Sequence, residues 1–293
     1  MTIDRVLCLA IVALSAGSSA AVYAEEEYQT EISADYLRAD TSQDFRSTMI
    51  SASAKVFLEP VKTAEHPYSE AAFLERIGSV SVTAYDIGMK AGIIKGDGRL
   101  FAAGVNYAKP DFPLAIQVGY FNSKIDFDTP FGSPATSKSN GYSIGIGNYF
   151  TNSLLAGLDY ENTRYESSGT PVLLKHKNLG LFAHYVDEME HGNALSLDGR
   201  LYRSTYDDGI ENLKNTIEHF TADYFFSRGL SAGFGIENNT GADLVNEGRT
   251  YSANIRSFIS SDLSVNAMYS RSLSAHAGYP DEKFFNIGMA LRF

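Results

Sequence analysis

The chain has 293 residues, a formal net charge of −11, 18 tyrosines, 18 phenylalanines, one cysteine and no tryptophan. The acidic balance argues against nucleic acid as a partner. The length suffices for two modest domains or for one large β-domain. No stretch beyond the N-terminus approaches 18 continuous apolar residues, so no transmembrane helix is predicted.

The first 24 residues have the pattern of a secretory signal peptide. Arg5 precedes an apolar run over 6–14, and a small-x-small motif ends at Ala24. This run is too short to span a bilayer, so residues 1–24 are predicted to be a signal peptide cleaved near Ala24. Cys8 leaves with that peptide, so the mature chain is predicted to have neither a disulfide nor a thiolate ligand.

The last segment of the chain alternates between apolar and polar or small residues. Phe285, Ile287, Met289, Leu291 and Phe293 fall on one face, and Asn286, Gly288, Ala290 and Arg292 fall on the other. The same alternation recurs at 28–38, 48–58, 79–85, 99–107, 114–122, 141–150, 154–161, 179–185, 195–202, 218–225, 230–238, 251–258 and 263–270. The chain is therefore predicted to be all-β, with about 14 strands long enough to cross a bilayer at a tilt. Because neighbouring segments could merge or split, 12 or 16 strands stay open.

The connections between these segments alternate in length. Short polar turns at 151–152, 227–229 and 260–262 lie on one side. Longer connections rich in Gly, Asp, Ser and Asn lie on the other side, at 88–98, 123–140, 166–176, 204–214, 238–249 and 271–282. This rhythm is typical of a transmembrane antiparallel β-barrel and is not required by a β-sandwich. Residues 25–293 are therefore predicted to form one barrel domain.

One connection departs from the rhythm. Residues 59–78 lie on the short-turn side, yet they number about twenty. Within them, 69–76 is predicted to form one or two helical turns capped by Ser69. The sequence leaves open whether this segment sits in the periplasm or folds into the lumen.

The terminal strand that ends in Phe293 resembles the C-terminal strand of Gram-negative outer-membrane β-barrels, and the stretch from Glu70 to Ser81 resembles a segment of general bacterial porins. The resemblance implies a multi-pass protein of the cell outer membrane, surrounded by lipid and recognised by the barrel-assembly machinery through the Phe293 strand. It also implies passive diffusion of small hydrophilic solutes and ions, with no cofactor. A homotrimer is left open.

In general porins the third outer loop folds inward and places acidic residues opposite a basic cluster. The third long connection here, Ser123 to Asn140, contains Pro130-Phe131-Gly132, which is similar to the motif of that loop. The resemblance therefore implies a pore constriction in which Asp126 and Asp128 face the inward-pointing cations Lys55, Arg200, Arg256 and Arg292. The strand alternation places further charged and titratable residues on the lumen face, namely Glu31, Asp159, Glu161, His184, Asp198, His219, Asp223 and Glu237.

Other functions were weighed against a porin. Gly141-Tyr-Ser143-Ile-Gly145 matches a nucleophile elbow, but an elbow needs a helix after its strand, and Ser143 lies inside an alternating segment. His184 and His219 have no serine or aspartate partner nearby in the sequence that would form a catalytic pair. No enzyme activity and no metal site is predicted. A plugged barrel acting as a dedicated transporter or a surface adhesin stays open, as do a barrel hydrolase and a periplasmic β-sandwich binding protein.

Overall fold

The computed structural model describes residues 27–41, 45–128, 135–168, 173–189, 192–207, 212–241, 247–274 and 281–293. The predicted signal peptide lies outside these residues. They form one short helix, α1 (Ala71–Leu74), and fourteen strands: β1 (Glu27–Thr41), β2 (Phe45–Lys62), β3 (Ser79–Ala91), β4 (Ile94–Lys109), β5 (Phe112–Asp128), β6 (Ala135–Tyr149), β7 (Leu154–Ser167), β8 (Leu173–Glu188), β9 (Ala194–Asp207), β10 (Asn212–Ser227), β11 (Leu230–Gly241), β12 (Gly248–Phe258), β13 (Leu263–Ser274) and β14 (Glu282–Arg292). In this part of the chain no helix is long and apolar enough to span a membrane.

The strands close into one antiparallel barrel. Each pairs with its neighbours in sequence, and β1 pairs with β14 from Glu31 opposite Arg292 to Thr41 opposite Glu282. Phe293 continues this seam, because its backbone N–H donates to the carbonyl of Thr30 at 2.9 Å. Closure leaves no free sheet edge, which is what a β-structure needs in order to pair its backbone groups in lipid. The predicted all-β barrel of fourteen strands is confirmed.

The two faces of the sheet differ in chemistry. Leu158 and Leu179 point outward with 56% and 58% of their surface exposed. Exposed leucine, isoleucine, valine, methionine or phenylalanine recurs on every strand but β1, where the exposed side chain is Tyr36. An apolar surface of this extent is unusual for a soluble protein and is typical of the lipid-facing band of a transmembrane barrel. The lumen faces of the same strands carry mainly glycine, serine, threonine and charged residues.

Aromatic side chains lie at both ends of the apolar exterior, measured along the barrel axis. Phe112 and Tyr120 are exposed residues of the outer face of β5, and Tyr142 lies opposite Tyr120 on β6. Eight residues separate Phe112 from Tyr120, which at about 3.3 Å per residue and a tilt of about 40° is about 20 Å along the barrel axis. This spacing suits aromatic girdles at the two surfaces of a bilayer.

The long connections predicted at the outer side are shorter than expected. In the predicted loop 88–98, β3 and β4 are joined by Gly92-Ile93 alone, and Gly92 has a φ of 58°, a backbone conformation that glycine adopts without strain. Likewise β5 continues to Asp128 and β6 begins at Ala135, so most of the predicted loop 123–140 is a paired hairpin. Strands of up to 18 residues exceed the 9–11 or so that cross a bilayer, so these hairpins project beyond it. Polar residues and glycine are typical of loops, but in water they also fit a paired hairpin.

Candidate functional site

The connection between β2 and β3, residues 63–78, folds across the lumen at its short-turn end, and we call it the inner plug. Its helix α1 begins after Glu70, which makes no side-chain cap hydrogen bond. The predicted cap at Ser69 is therefore wrong. The Glu70 carboxylate instead pairs with Nε2 of His184 on β8 at 3.0 Å. A contact with the barrel wall has taken the place of local capping.

The plug is held at several points around the rim. The backbone N–H of Tyr68 donates to the carbonyl of Arg228 at 2.9 Å, and the Arg228 guanidinium donates to backbone carbonyls at the start of the plug. At its other end Arg76 donates to Pro110 O at 3.3 Å and to Asn152 Oδ1 at 2.7 Å. These partners lie in the β4–β5, β6–β7 and β10–β11 turns. Since the plug starts at β2 and reaches β8, six strands away in a ring of fourteen, it crosses the lumen.

His66 ties the plug to β8 by charge. Its Nδ1 lies 2.8 Å from Glu188 Oε1, and its Nε2 lies 3.0 Å from Glu75 Oε1 within the plug. Burial by itself lowers the pKa of His66, but the hydrogen bonds to the two carboxylates outweigh it and leave the pKa raised. The imidazole therefore bridges the plug and the wall, with one carboxylate at each ring nitrogen.

Apolar packing also fixes the plug. Two buried clusters form where it meets the wall: Tyr28, Phe57, Val61, Ala71 and Ile77, with Ala72 against them; and Ala108, Ala115, Tyr149 and Leu155, with Phe73 and Phe182 against them. The Phe73 ring also lies edge-on to His184, with ring centroids 4.3 Å apart. The plug is therefore packed as part of the fold.

Arg292, predicted as a cation of the constriction, instead joins the barrel seam to the plug. Only 7% of its side chain is exposed, and its Nε lies 2.8 Å from Glu31 Oε2 across the β1–β14 seam. Its NH1 donates to Tyr68 O at 2.8 Å, and its guanidinium lies 4.3 Å and 4.7 Å from the ring centroids of Tyr28 and Phe258. These contacts engage its charge, so it is not a free cation facing the pore.

On the lumen side of the plug lies a cavity of about 360 Å³, which we call the plug cavity. The plug supplies its floor through Ser69, Ala72, Phe73 and Ile77, and the barrel supplies Lys55, Phe57, Ser79, Asn106, Gln117, Tyr149, Leu155, Asp159, Phe182, His184, Asp198 and Arg200. Most of its charges are engaged: Asp198 lies 3.6 Å from His184 Nδ1 and accepts from Arg200 Nε at 3.1 Å. Asp159 accepts from the Tyr202 hydroxyl at 2.8 Å.

The ladder register places the other predicted lumen residues on the inner face. Asp223 lies opposite Ser196 and Gly233, and Arg256 lies opposite Ser231 and Asn266. On the same face, Glu161 pairs with Ser143, and His219 Nδ1 lies 3.5 Å from Glu237 Oε2. Asp35, opposite Ser51, belongs to the set as well and was missed as a site residue. The predicted lumen residues and Asp35 together include seven carboxylates and four cations. The carboxylates are those of Glu31, Asp35, Asp159, Glu161, Asp198, Asp223 and Glu237, and the cations are Lys55, Arg200, Arg256 and Arg292.

Asp126 and Asp128 do not face the lumen. Asp126 accepts from Lys124 Nζ at 2.7 Å and from Thr136 Oγ1 at 2.7 Å, on the outer face of the projecting hairpin. The intervening Ile125 and Phe127 take the lumen face, against Gly98 and Gly96 of β4. The predicted acidic side of the constriction is therefore wrong, because the alternation of β5 continues through Asp128. Pro130-Phe131-Gly132 lies outside the described residues.

Apolar residues line part of the lumen, which the sequence analysis did not foresee. Leu37 pairs with Met49, Met49 pairs with Ile87, and Ile87 and Ile125 both pair with Gly98. We call these four residues the inner apolar row. The signal was present, since the segment after Ala84 is apolar at the inward positions 87 and 89. Between this row and the plug cavity the lumen face of β2–β5 consists mostly of small side chains: Ser51, Ser53, Ser81, Thr83, Ala102, Gly104, Gly119 and Ser123. The larger Tyr85, Leu100 and Phe121 lie nearer the row.

A closed antiparallel barrel with an apolar exterior and a largely polar lumen is the fold of outer-membrane β-barrel proteins. Among solved structures, it is similar to the Acinetobacter baumannii outer membrane protein Omp33, with a TM-score of 0.58 and 15% identity over 92% of this chain and 99% of that chain. For the deltaS2S3 mutant of the monoaromatic hydrocarbon channel TodX the TM-score is 0.51 and the identity 10%, over 92% of this chain and 91% of that chain. For the Pseudomonas putida toluene transporter TodX the TM-score is 0.50 and the identity 8%, over 92% of this chain and 90% of that chain.

At these identities the likeness concerns the fold. No protein-family model matches the chain, and no curated protein matches it.

Proposed function

We propose that this chain is a channel of the Gram-negative outer membrane through which small hydrophilic solutes diffuse passively, with the inner plug narrowing its periplasmic mouth. The plug cavity is the observation that carries the proposal. An eight-stranded barrel is filled by its own side chains, whereas this wider barrel keeps a space of about 360 Å³ with charged walls above the plug. The predicted signal peptide and the Phe293 strand support the location.

The charges of the lumen support a preference for cations. Among the predicted lumen residues together with Asp35, seven carboxylates against four cations give the aqueous path a negative field. Three of the cations, Arg200, Arg256 and Arg292, lie close to carboxylates, and Arg292 is also engaged by the plug. The expected channel is therefore selective by size and weakly by charge.

The plug favours a second candidate, a dedicated transporter that opens only for its own solute. Passive diffusion gives a flux that rises linearly with solute concentration, whereas a transporter with a binding step saturates. Solute entry into proteoliposomes over a wide concentration range separates the two.

Single-channel recording in planar bilayers tests the proposal. The wild type is compared with a variant in which 64–77 is replaced by a short Gly-Ser linker and with Arg76→Met, which removes the side-chain anchors to two turns while keeping the backbone. We expect steady small steps from the wild type, larger steps from the variants, and a reversal potential that indicates cation preference.

Heat-modifiable gel migration establishes that each barrel is folded. If folded wild type and folded variants are all electrically silent, the channel proposal fails. Recognition of the Phe293 strand by the assembly machinery and a homotrimer stay predictions.

A further inference from the structure

Lys55 is a lumen cation whose expected partner is taken by another residue. Its cross-strand neighbour on β1 is Glu31, but the Glu31 carboxylate is bound to Arg292 at 2.8 Å. Within the described ranges Lys55 forms no ion pair, and the contact found for its ammonium is with the Phe57 ring, 5.7 Å from the centroid. A half-buried ammonium without a counter-charge attracts an anion, because a charge-assisted hydrogen bond offsets its lost hydration.

A second cation with unused donors lines the same cavity. Arg200 donates from Nε to Asp198 and from NH1 to the Tyr202 hydroxyl, and a guanidinium has five N–H donors in all. The two carboxylates that line the cavity, Asp159 and Asp198, accept hydrogen bonds from residues other than Lys55. Asp198 is shared by Arg200 and His184, and Asp159 accepts from Tyr202 with one oxygen, while its other oxygen is buried without a hydrogen-bond partner among the described residues.

Part of the cavity wall is apolar, beside the polar and charged side chains that make up the rest of it. Phe182 and Leu155 contribute from the barrel and Phe73 from the plug, next to the polar groups. The volume of about 360 Å³ is at the lower end of the range for small-molecule sites, about 300–1,000 Å³. An apolar patch beside one or two convergent cations suits a small molecule with an apolar body and one negative end.

The approach to the cavity has the same character. A solute entering from outside first meets the inner apolar row, then the mostly small side chains of β2–β5, and then Lys55. The apolar row is unusual for a barrel that conducts only hydrophilic solutes, whose interior is polar. It provides an independent reason for an apolar portion in the solute.

From this arrangement we infer that the plug cavity is a binding site for a small organic monocarboxylate, in which Lys55 and Arg200 hold the carboxylate and Phe182, Phe73 and Leu155 hold the apolar body. The inference rests on the proposed function, since the solute reaches the cavity through the lumen. The bound anion would neutralise Lys55 directly above the plug.

Equilibrium binding of benzoate to the folded barrel in non-ionic detergent, measured by calorimetry at neutral pH and low salt, tests the inference. Benzamide is the matched neutral ligand. We expect the wild type to bind benzoate at least about tenfold more tightly than benzamide, the lower end for a hydrogen bond to a charged group. Lys55→Gln should weaken benzoate about tenfold and leave benzamide unchanged, and Lys55→Arg should keep most of the affinity.

Lys177→Gln removes the same charge from the outer face of β8 and should change neither ligand. Benzoate affinity that is unchanged in Lys55→Gln, or equal binding of benzoate and benzamide to the wild type, would overturn the inference. Conductance of the same preparations separates the two proposals. A conducting barrel without benzoate binding refutes this site alone, whereas binding without conduction refutes the channel alone.

Discussion

Arg292 connects the barrel seam and the plug, so its removal should affect both. Arg292→Met keeps a long side chain between the rings of Tyr28 and Phe258 but removes the guanidinium. Glu31, whose side chain is 19% exposed, then loses its 2.8 Å partner, and the carbonyl of Tyr68 loses its donor. Breaking a buried ion pair by removing one partner costs about 3–5 kcal/mol.

Because Glu31 keeps some contact with solvent, we expect the lower part of that range. A loss of about 3 kcal/mol is about 150-fold in the unfolding equilibrium constant. The assay is urea titration of the barrel in phospholipid vesicles, with the folded fraction measured from heat-modifiable gel migration. The double variant Glu31→Gln with Arg292→Met removes both charges and should recover a large part of the loss, since apolar or neutral replacement of both partners is often nearly neutral.

Two results would refute this reasoning. Wild-type unfolding of Arg292→Met would mean that the pair contributes nothing. A double variant as unstable as the single one would mean that the contacts of the guanidinium with the Tyr68 carbonyl and the two rings, and not its pairing with Glu31, stabilise the seam.

Three further outcomes are expected. Because the pKa of His66 is raised, the contribution of this residue to plug docking is complete below its ordinary pKa of about 6.5 and is lost as the pH rises through the higher pKa of the folded state. Channel opening should therefore increase with pH. His66→Gln should remove this part of the pH dependence in single-channel records. Gly157→Ala places a methyl group against backbone atoms of β6 and should lower the free energy of unfolding by about 1–3 kcal/mol in the same urea assay. The added methyl group of Gly199→Ala meets nothing within 4 Å, so this variant should be as stable as the wild type. Equal stability of the two variants would contradict the packing argument. Asp126→Asn should leave the reversal potential unchanged, because this carboxylate is on the outer face of the hairpin, and a shift toward anions would contradict that placement.

The sequence by itself determined the class of fold and the sides of most side chains. Alternation with period two is a local property of a strand, so it indicated fourteen strands and placed residues such as Asp159 and Asp223 on the inner face without knowledge of their partners. The same rule, applied through the end of β5, would also have placed Asp126 outside. The resemblance to a porin loop predicted the opposite orientation, and the period of the strand is the better indicator because backbone geometry enforces it.

Only the tertiary structure decided what fills the lumen. Whether residues 63–78 hang in the periplasm or cross the barrel depends on contacts with residues far away in sequence, such as Arg228 and Glu188, which no local pattern reveals. The same holds for the charges, since Lys55 and Arg292 are both inward cations by alternation. Closure of the β1–β14 seam pairs Glu31 with Arg292, and Lys55 then has no carboxylate partner in the part of the chain that the structure describes. Period two fixes the face on which a side chain lies, but the pairing of strands distant in sequence fixes its partner.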